Sequence, residues 1–160
     1  MIARMPHQDR VAHVATRMGE TNDCAVRALA LVLRISYETA HSALERAGRE
    51  FQDGTPRGVT ETAIALLGFR IRRRWSPTRL ALVTGRRGRP STAHALLDPE
   101  AWAEVPDMLL FVHRHVAALV DSKVEDWTQN HAAPIEEGWE LMRISDTVVL
   151  GEKLPSVIHL

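Results

Sequence analysis

The chain contains little cysteine, few aromatic residues and no long apolar run. Its 160 residues include one cysteine, one tyrosine and three phenylalanines. A single cysteine excludes an internal disulfide framework, so nothing marks an oxidising compartment. No apolar run approaches the roughly 18 residues that a membrane-spanning helix needs, and the N-terminus lacks the apolar segment of a signal peptide. We therefore expect a cytoplasmic protein with no membrane partner.

Chain length and element order favour one mixed domain. A chain of 160 residues with 45% apolar content can bury one substantial core but is short for two. Helical patterns precede strand patterns, which predicts an α+β fold in a single domain over 1–160. Residues 1–18 show little periodicity, so we expect an arm that is at most partly ordered, with a short strand at Val11–Ala15.

Caps and breakers mark most of the predicted elements. One helix begins near Cys24, Ser36 caps a second over Tyr37–Ala47, and Thr60 caps a third. Ser76 and Pro77 open a short fourth helix. Alternating or continuous apolar runs predict strands at Phe69–Trp75, Met108–Val120, Lys123–Trp127, Trp139–Ile144 and Thr147–Leu150.

Acidic residues are absent from Ala63 to Leu97, although the formal net charge of the chain is zero. This segment contains Arg70, Arg72, Arg73, Arg74, Arg79, Arg86, Arg87 and Arg89. It lacks the interleaved aromatics of nucleic-acid binders, so we do not expect a nucleic-acid partner. One interpretation is that it contacts a protein partner through Arg72, Arg74, Arg86 and Arg87. The alternative is that it simply faces the acidic C-terminal part of the same chain.

The single cysteine, Cys24, lies where a polar turn becomes an apolar helix. Asn22 and Asp23 are residue types that cap helix N-termini. Unpaired backbone N–H groups and the positive end of the helix dipole favour a thiolate in the first turn. Because the thiolate is the nucleophilic form, this position suits catalysis. The alternative is an inert thiol packed in the core.

A base for this thiol is predicted on a hairpin that turns at Asp121–Ser122. A two-residue loop brings Asp126 diagonally next to His115, within side-chain reach. A three-residue loop would present Glu125 on that face instead. We predict His115 as the base and Asp126 as the carboxylate that orients its ring. Glu125 and Asp121 remain the alternatives for the carboxylate.

Two further interpretations involve His113. On one continuous strand it would share a face with His115 and serve as a second candidate base. Together with Asp126 and Cys24, the two histidines also offer N, O and S ligands to a metal ion. Spacing does not identify a complete ligand set, and phosphate-binding loops, dinucleotide fingerprints and zinc-knuckle spacings are absent. We therefore expect no metal and no other cofactor.

The stretches Thr21–Ala30 and His115–Asp121 resemble small papain-like cysteine peptidases. The similarity is greatest to the C39-like peptidases and to compact phage-encoded relatives. It implies a papain-like core, in which a central helix that carries the cysteine packs on a C-terminal antiparallel sheet. It also implies that Cys24 is the nucleophile, His115 the base and Asp126 the orienting residue.

The chain departs from the C39-like pattern at two positions. Those enzymes usually carry a glutamine shortly before the cysteine, where its amide helps to form the oxyanion hole, but this chain has none in Met18–Thr21. They also often have glycine after the cysteine, where this chain has Ala25. We expect Asn22, or the Thr21 hydroxyl, to act as the substitute donor beside the Cys24 backbone N–H. The alternative is a protein that has lost catalysis.

Two function classes follow from these residues. The first is a thiol hydrolase that cleaves a peptide, isopeptide or related acyl bond of a peptide or protein substrate through a thioester. The same residues also serve acyl transfer. The second is a non-catalytic papain-like binding protein, such as a phage accessory factor that engages a host protein through its arginine-rich middle. Replacement of Cys24 by alanine abolishes the first function and leaves the second intact.

Overall fold

The computed structural model describes residues 6–19, 23–50, 55–85, 90–91, 99–125 and 134–144. Within them, the helices are α1 (His7–Met18), α2 (Cys24–Leu33), α3 (Tyr37–Arg46), α4 (Arg57–Leu66) and α5 (Pro77–Thr84), with a 3₁₀ turn at Pro99–Trp102. The strands are β1 (Phe69–Trp75), β2 (Met108–Val112), β3 (His115–Val120), β4 (Lys123–Glu125) and β5 (Glu137–Arg143). None of the described helices is both long and apolar enough to span a bilayer.

The strands form one antiparallel sheet in the order β1-β5-β2-β3-β4, which confirms the predicted α+β class. Side chains of β2 alternate between two buried clusters. Leu109 and Phe111 pack with residues of α1 to α4, whereas Met108, Leu110 and Val112 pack with residues of α5 and the 3₁₀ turn. Every residue of β2 is buried for this reason. Helix α2 packs mainly against β3.

The N-terminal segment is a helix, so the strand predicted at Val11–Ala15 is wrong. Val11 and Ala15 lie four residues apart and are both buried in the core. Val14 and Met18 pack beside them, which completes an apolar stripe with helical spacing. The helix ends at Gly19, whose φ of 70° is the left-handed conformation that glycine adopts readily. Residues 7–18 therefore belong to the packed fold and are not an arm.

The predicted strand Met108–Val120 is interrupted by a turn and is wrong as one element. Residues 113 and 114 form the turn, which folds β3 back onto β2 so that Val112 pairs with His115. Arg114 adopts a positive φ of 56°. Neither glycine nor proline marks this turn, so the apolar residues on both sides of it suggest one continuous strand.

The next turn follows the predicted two-residue loop. Val120 pairs with Lys123, and Ala118 pairs with Glu125. The two loop residues, Asp121 and Ser122, have φ of 51° and 67°. Two consecutive positive φ values are characteristic of the tight hairpin turns that match strand twist. The register on which the Asp126 prediction depends is therefore the one seen in the described part of this hairpin.

Capping residues were reliable guides at two helices and misleading at a third. The Ser36 hydroxyl accepts the Thr39 N–H at 3.1 Å, and the Ser76 hydroxyl accepts the Arg79 N–H at 3.1 Å, as predicted for α3 and α5. By contrast, α4 begins after Pro56, so Thr60 is not its cap. The Thr60 side chain is buried inside the helix, where it donates to the Pro56 carbonyl.

Glu125 gives the fold a pH-dependent weak point. It lines a cleft with His7 and Gln8 of α1, and burial raises the pKa of its carboxyl, as does Asp9, against the opposing charge of Lys123. Because the pKa of Glu125 is higher in the folded than in the unfolded protein, the folded state is favoured while Glu125 is protonated at low pH. This advantage is lost as the pH rises through the folded pKa and the buried carboxyl becomes charged.

We therefore expect Glu125→Gln to increase the free energy of unfolding more at pH 7 than at pH 4. The gain should stay below about 1 kcal/mol, because the carboxyl is partly exposed and its charge is screened. Urea unfolding of both proteins at the two pH values checks this. An equal difference at both pH values would contradict it.

Candidate active site

Cys24 is the first residue of α2 and is half-buried. The helix starts here because Asp23 takes the N-cap position, with its backbone carbonyl accepting the Arg27 N–H at 3.0 Å. Most of the residues that follow Cys24 are buried in the core between the helices and the sheet. The apolar helix thus fixes the thiol at the point where α2 emerges from the core beside β3.

His115, the first residue of β3, lies beside Cys24, and hydrogen bonding with its side chain lowers the pKa of the thiol. Hydrogen bonding with the backbone N–H groups of Val116 and Ala25 acts in the same direction. Burial raises the pKa of the thiol, but these hydrogen bonds and the charge of His115 outweigh burial and hold the pKa of Cys24 below its ordinary value. Two elements distant in sequence therefore cooperate to favour the thiolate.

The thiol and the imidazole lie on a cleft of about 290 Å³. Its walls come from the start of α4, the end of β2, the turn that follows β2, the start of β3 and the residue before β5. The lining residues are Cys24, Thr55, Pro56, Arg57, Phe111, Val112, Arg114, His115, Val116 and Glu136. Cys24 and His115 therefore border the same cleft, whose walls are partly apolar and partly charged.

Asp23 occupies the predicted N-cap, but its side chain does not cap the helix. Its carboxylate accepts from Arg27 Nε at 3.0 Å and from the Tyr37 hydroxyl at 2.8 Å. The side chain is only 7% exposed. Because the carboxylate is held away from the first turn, it does not compete with the sulfur for the Ala25 N–H.

One wall of the cleft is a stack of aromatic and arginine side chains that the sequence did not reveal. The Arg57 guanidinium lies over the Phe111 ring, 4.5 Å from its centroid, and pairs with Glu136 and with Glu137. Phe111 in turn contacts Trp139, with ring centroids 4.5 Å apart. No residue near Arg57 in the sequence distinguishes it from the other arginines. The only signal is the pair of consecutive acidic residues Glu136 and Glu137, which lie about 80 residues further along the chain.

Of the predicted catalytic residues, the structure brings Cys24 and His115 together. Asp126 and Asn22 lie outside the described residues, as do Arg86 and Arg87. The orienting role of Asp126 and the oxyanion role of Asn22 therefore stay predictions.

The other candidates around the histidine do not join the site. His113 is exposed in the turn before β3, so the prediction that it shares a strand face with His115 is wrong. The two-residue loop pairs Glu125 with Ala118, and Glu125 lies in a cleft beside α1 instead of next to His115. Within the described ranges, no group of three or more His, Cys, Asp or Glu residues is placed to hold a metal ion.

The described arginines of the predicted partner surface pair with acidic residues of the same chain. Arg72 forms an ion pair with Glu140 at 3.0 Å. Arg74 pairs with Glu61 at 3.0 Å and with Glu137 at 3.1 Å, and it lies over the Trp139 ring. The basic strand β1 therefore lies next to β5 in the sheet, and Glu137 and Glu140 of β5 supply acidic partners. This agrees with the alternative interpretation of the charge pattern.

Comparison with protein-family models, with curated proteins and with solved structures finds no match for this chain. Its function must accordingly be argued from the site itself.

Proposed function

We propose that this chain is a thiol hydrolase that cleaves a peptide, isopeptide or related acyl bond, with Cys24 as the nucleophile and His115 as the base. The main support is that these two side chains border one accessible cleft, where His115 lowers the pKa of the thiol through hydrogen bonding and through its charge. A nucleophile within hydrogen-bond reach of its base is the signature of covalent catalysis. The packing of the cysteine helix on the histidine strand is also what a papain-like core would require.

The chemistry begins with a thiolate beside a protonated His115. The Cys24 sulfur attacks the acyl carbon, so that a C–S bond forms and the carbonyl oxygen becomes an oxyanion. The backbone N–H of Cys24, in the first turn of α2, is the donor suited to this oxyanion. His115 then gives its proton to the leaving amine as the C–N bond breaks.

Hydrolysis completes the cycle. Water loses a proton to His115 and attacks the thioester carbonyl; the C–S bond then breaks, the carboxylic acid leaves, and Cys24 is again a thiolate beside protonated His115. In this proposal Asp126 orients the imidazole, and Asn22 adds a second oxyanion donor. No cofactor takes part in any of these steps.

The pH profile of alkylation by iodoacetamide tests the proposal, and Cys24 is the only cysteine that can react. We expect wild-type Cys24 to react well below pH 8. In His115→Ala the rate at pH 6 should fall at least about tenfold, towards that of a free thiol with a pKa near 8.5. His113→Ala, which changes an exposed histidine two residues away, is the matched control and should behave like wild type.

The same experiment separates the two function classes. A thiol that is unreactive in all three proteins, or that titrates identically without His115, would contradict the hydrolase proposal. The partner-binding alternative receives no comparable support, because its described contact residues, Arg72 and Arg74, are engaged by Glu140, Glu61 and Glu137.

A further inference from the structure

The cleft beside Cys24 is lined by two guanidinium groups in different settings. Arg57 is held by two carboxylates and by the Phe111 ring, so that its charge is largely balanced. Arg114 is exposed, and no ion pair or side-chain hydrogen bond links it to any other residue in the described part of the chain. Among the described residues that line the cleft, Arg114 is therefore the arginine whose charge is available to a ligand.

The position of Arg114 is set by the backbone and not by side-chain contacts. It is the second residue of the turn between β2 and β3, directly before His115. Its φ of 56° lies in the left-handed region, where glycine is favoured and a long side chain is uncommon. The turn therefore holds Arg114 at the edge of the cleft, next to His115.

We propose that Arg114 selects acyl substrates that carry an anionic group, such as a carboxylate, next to the bond that Cys24 attacks. The positive charge of Arg114 attracts a carboxylate, and its adjacency to His115 places that contact near the reacting carbonyl. Arg57, whose charge is balanced, forms another part of the wall. This inference rests on the proposed function, because it assigns a substrate class to the same site.

Two alkylating reagents of nearly equal size test the inference without a known substrate. Iodoacetate and iodoacetamide both transfer a substituted methyl group to the Cys24 sulfur with loss of iodide, but only iodoacetate is an anion. The ratio of their rates at pH 7 and low ionic strength cancels any change in the thiolate fraction. It therefore reports how strongly the cleft favours a negative charge.

We expect Arg114→Gly, which suits the positive φ, to lower the iodoacetate-to-iodoacetamide ratio by about three- to tenfold, the effect of one nearby charge. Arg114→Lys keeps the charge and should keep the ratio. Arg46→Gln removes an exposed arginine from α3, away from the cleft, and should also leave the ratio unchanged. Added salt should reduce the difference between wild type and Arg114→Gly.

Each failure has a distinct pattern. A ratio unaffected by Arg114→Gly, with iodoacetamide still reacting below pH 8, overturns the anionic substrate class and leaves the hydrolase proposal standing. A ratio that falls equally in Arg114→Lys also overturns it, since charge would then not be the cause. A Cys24 that reacts with neither reagent overturns the proposed function, and this inference with it.

Discussion

Replacement of Trp139 by alanine is expected to lower the free energy of unfolding by about 3–5 kcal/mol, the usual cost of removing a buried tryptophan. Trp139 is only 2% exposed, in the middle of β5. It packs against Phe111 on one side, and Arg74 lies over its ring at 4.7 Å. Alanine would leave a cavity between the sheet and the helices, because both neighbours are fixed by other contacts. Urea or guanidinium unfolding measures the loss.

Trp139→Phe is the matched control for this prediction. It keeps an aromatic ring against Phe111, and it removes an indole N–H that is buried without a partner in the described residues. We expect the control to cost at most about 1.5 kcal/mol. If the alanine variant lost no more than the phenylalanine variant, the neighbouring side chains would have closed the space. The side chains of the stack would then be free to rearrange, and the stack would not be a fixed wall of the cleft.

Local chemistry explains which elements the sequence predicted well. Ser36 and Ser76 cap their helices by hydrogen bonds to residues three positions later, so the signal and the structure lie in the same few residues. The Asp121–Ser122 turn likewise determines the pairing of β3 with β4 through its own backbone. In contrast, the turn before His115 uses an arginine at positive φ, a residue type that does not signal a turn, and it was missed.

The candidate site shows the same difference between features set by nearby residues and features set by tertiary packing. The position of Cys24 follows from the helix start that surrounds it. The register of β3 with β4 could be worked out from the chain, but the approach of His115 to Cys24 depends on the packing of α2 on β3. The diversion of the Asp23 carboxylate depends on Tyr37 from the next helix. The cleft wall depends on Arg57 meeting Glu137, 80 residues away. Contacts of this kind are decided by tertiary packing, which no local pattern records.

The other large effect is expected at the residue before the nucleophile. Asp23→Ala should lower the free energy of unfolding by about 3 kcal/mol, because it breaks a mostly buried ion pair by removing one partner. Arg27, whose side chain is 16% exposed, would lose its carboxylate, and the buried Tyr37 hydroxyl would lose an acceptor at 2.8 Å. Chemical denaturation of the variant beside wild type measures the loss.

Asp23→Asn keeps an oxygen acceptor for Tyr37 and separates the hydrogen bond from the charge, so its loss should be the smaller of the two. Combined with Tyr37→Phe, Asp23→Ala should cost less than the sum of the single changes, since both remove the same contact. The hydrogen bond from Tyr37 to Asp23 also connects the start of α2 to α3. The first turn of α2 contains the Ala25 N–H, which helps to lower the pKa of the Cys24 thiol. Folded Asp23→Ala should therefore react more slowly with iodoacetamide at pH 6 than wild type does. Unchanged stability together with unchanged reactivity would show that Asp23 anchors neither the helix nor the thiol.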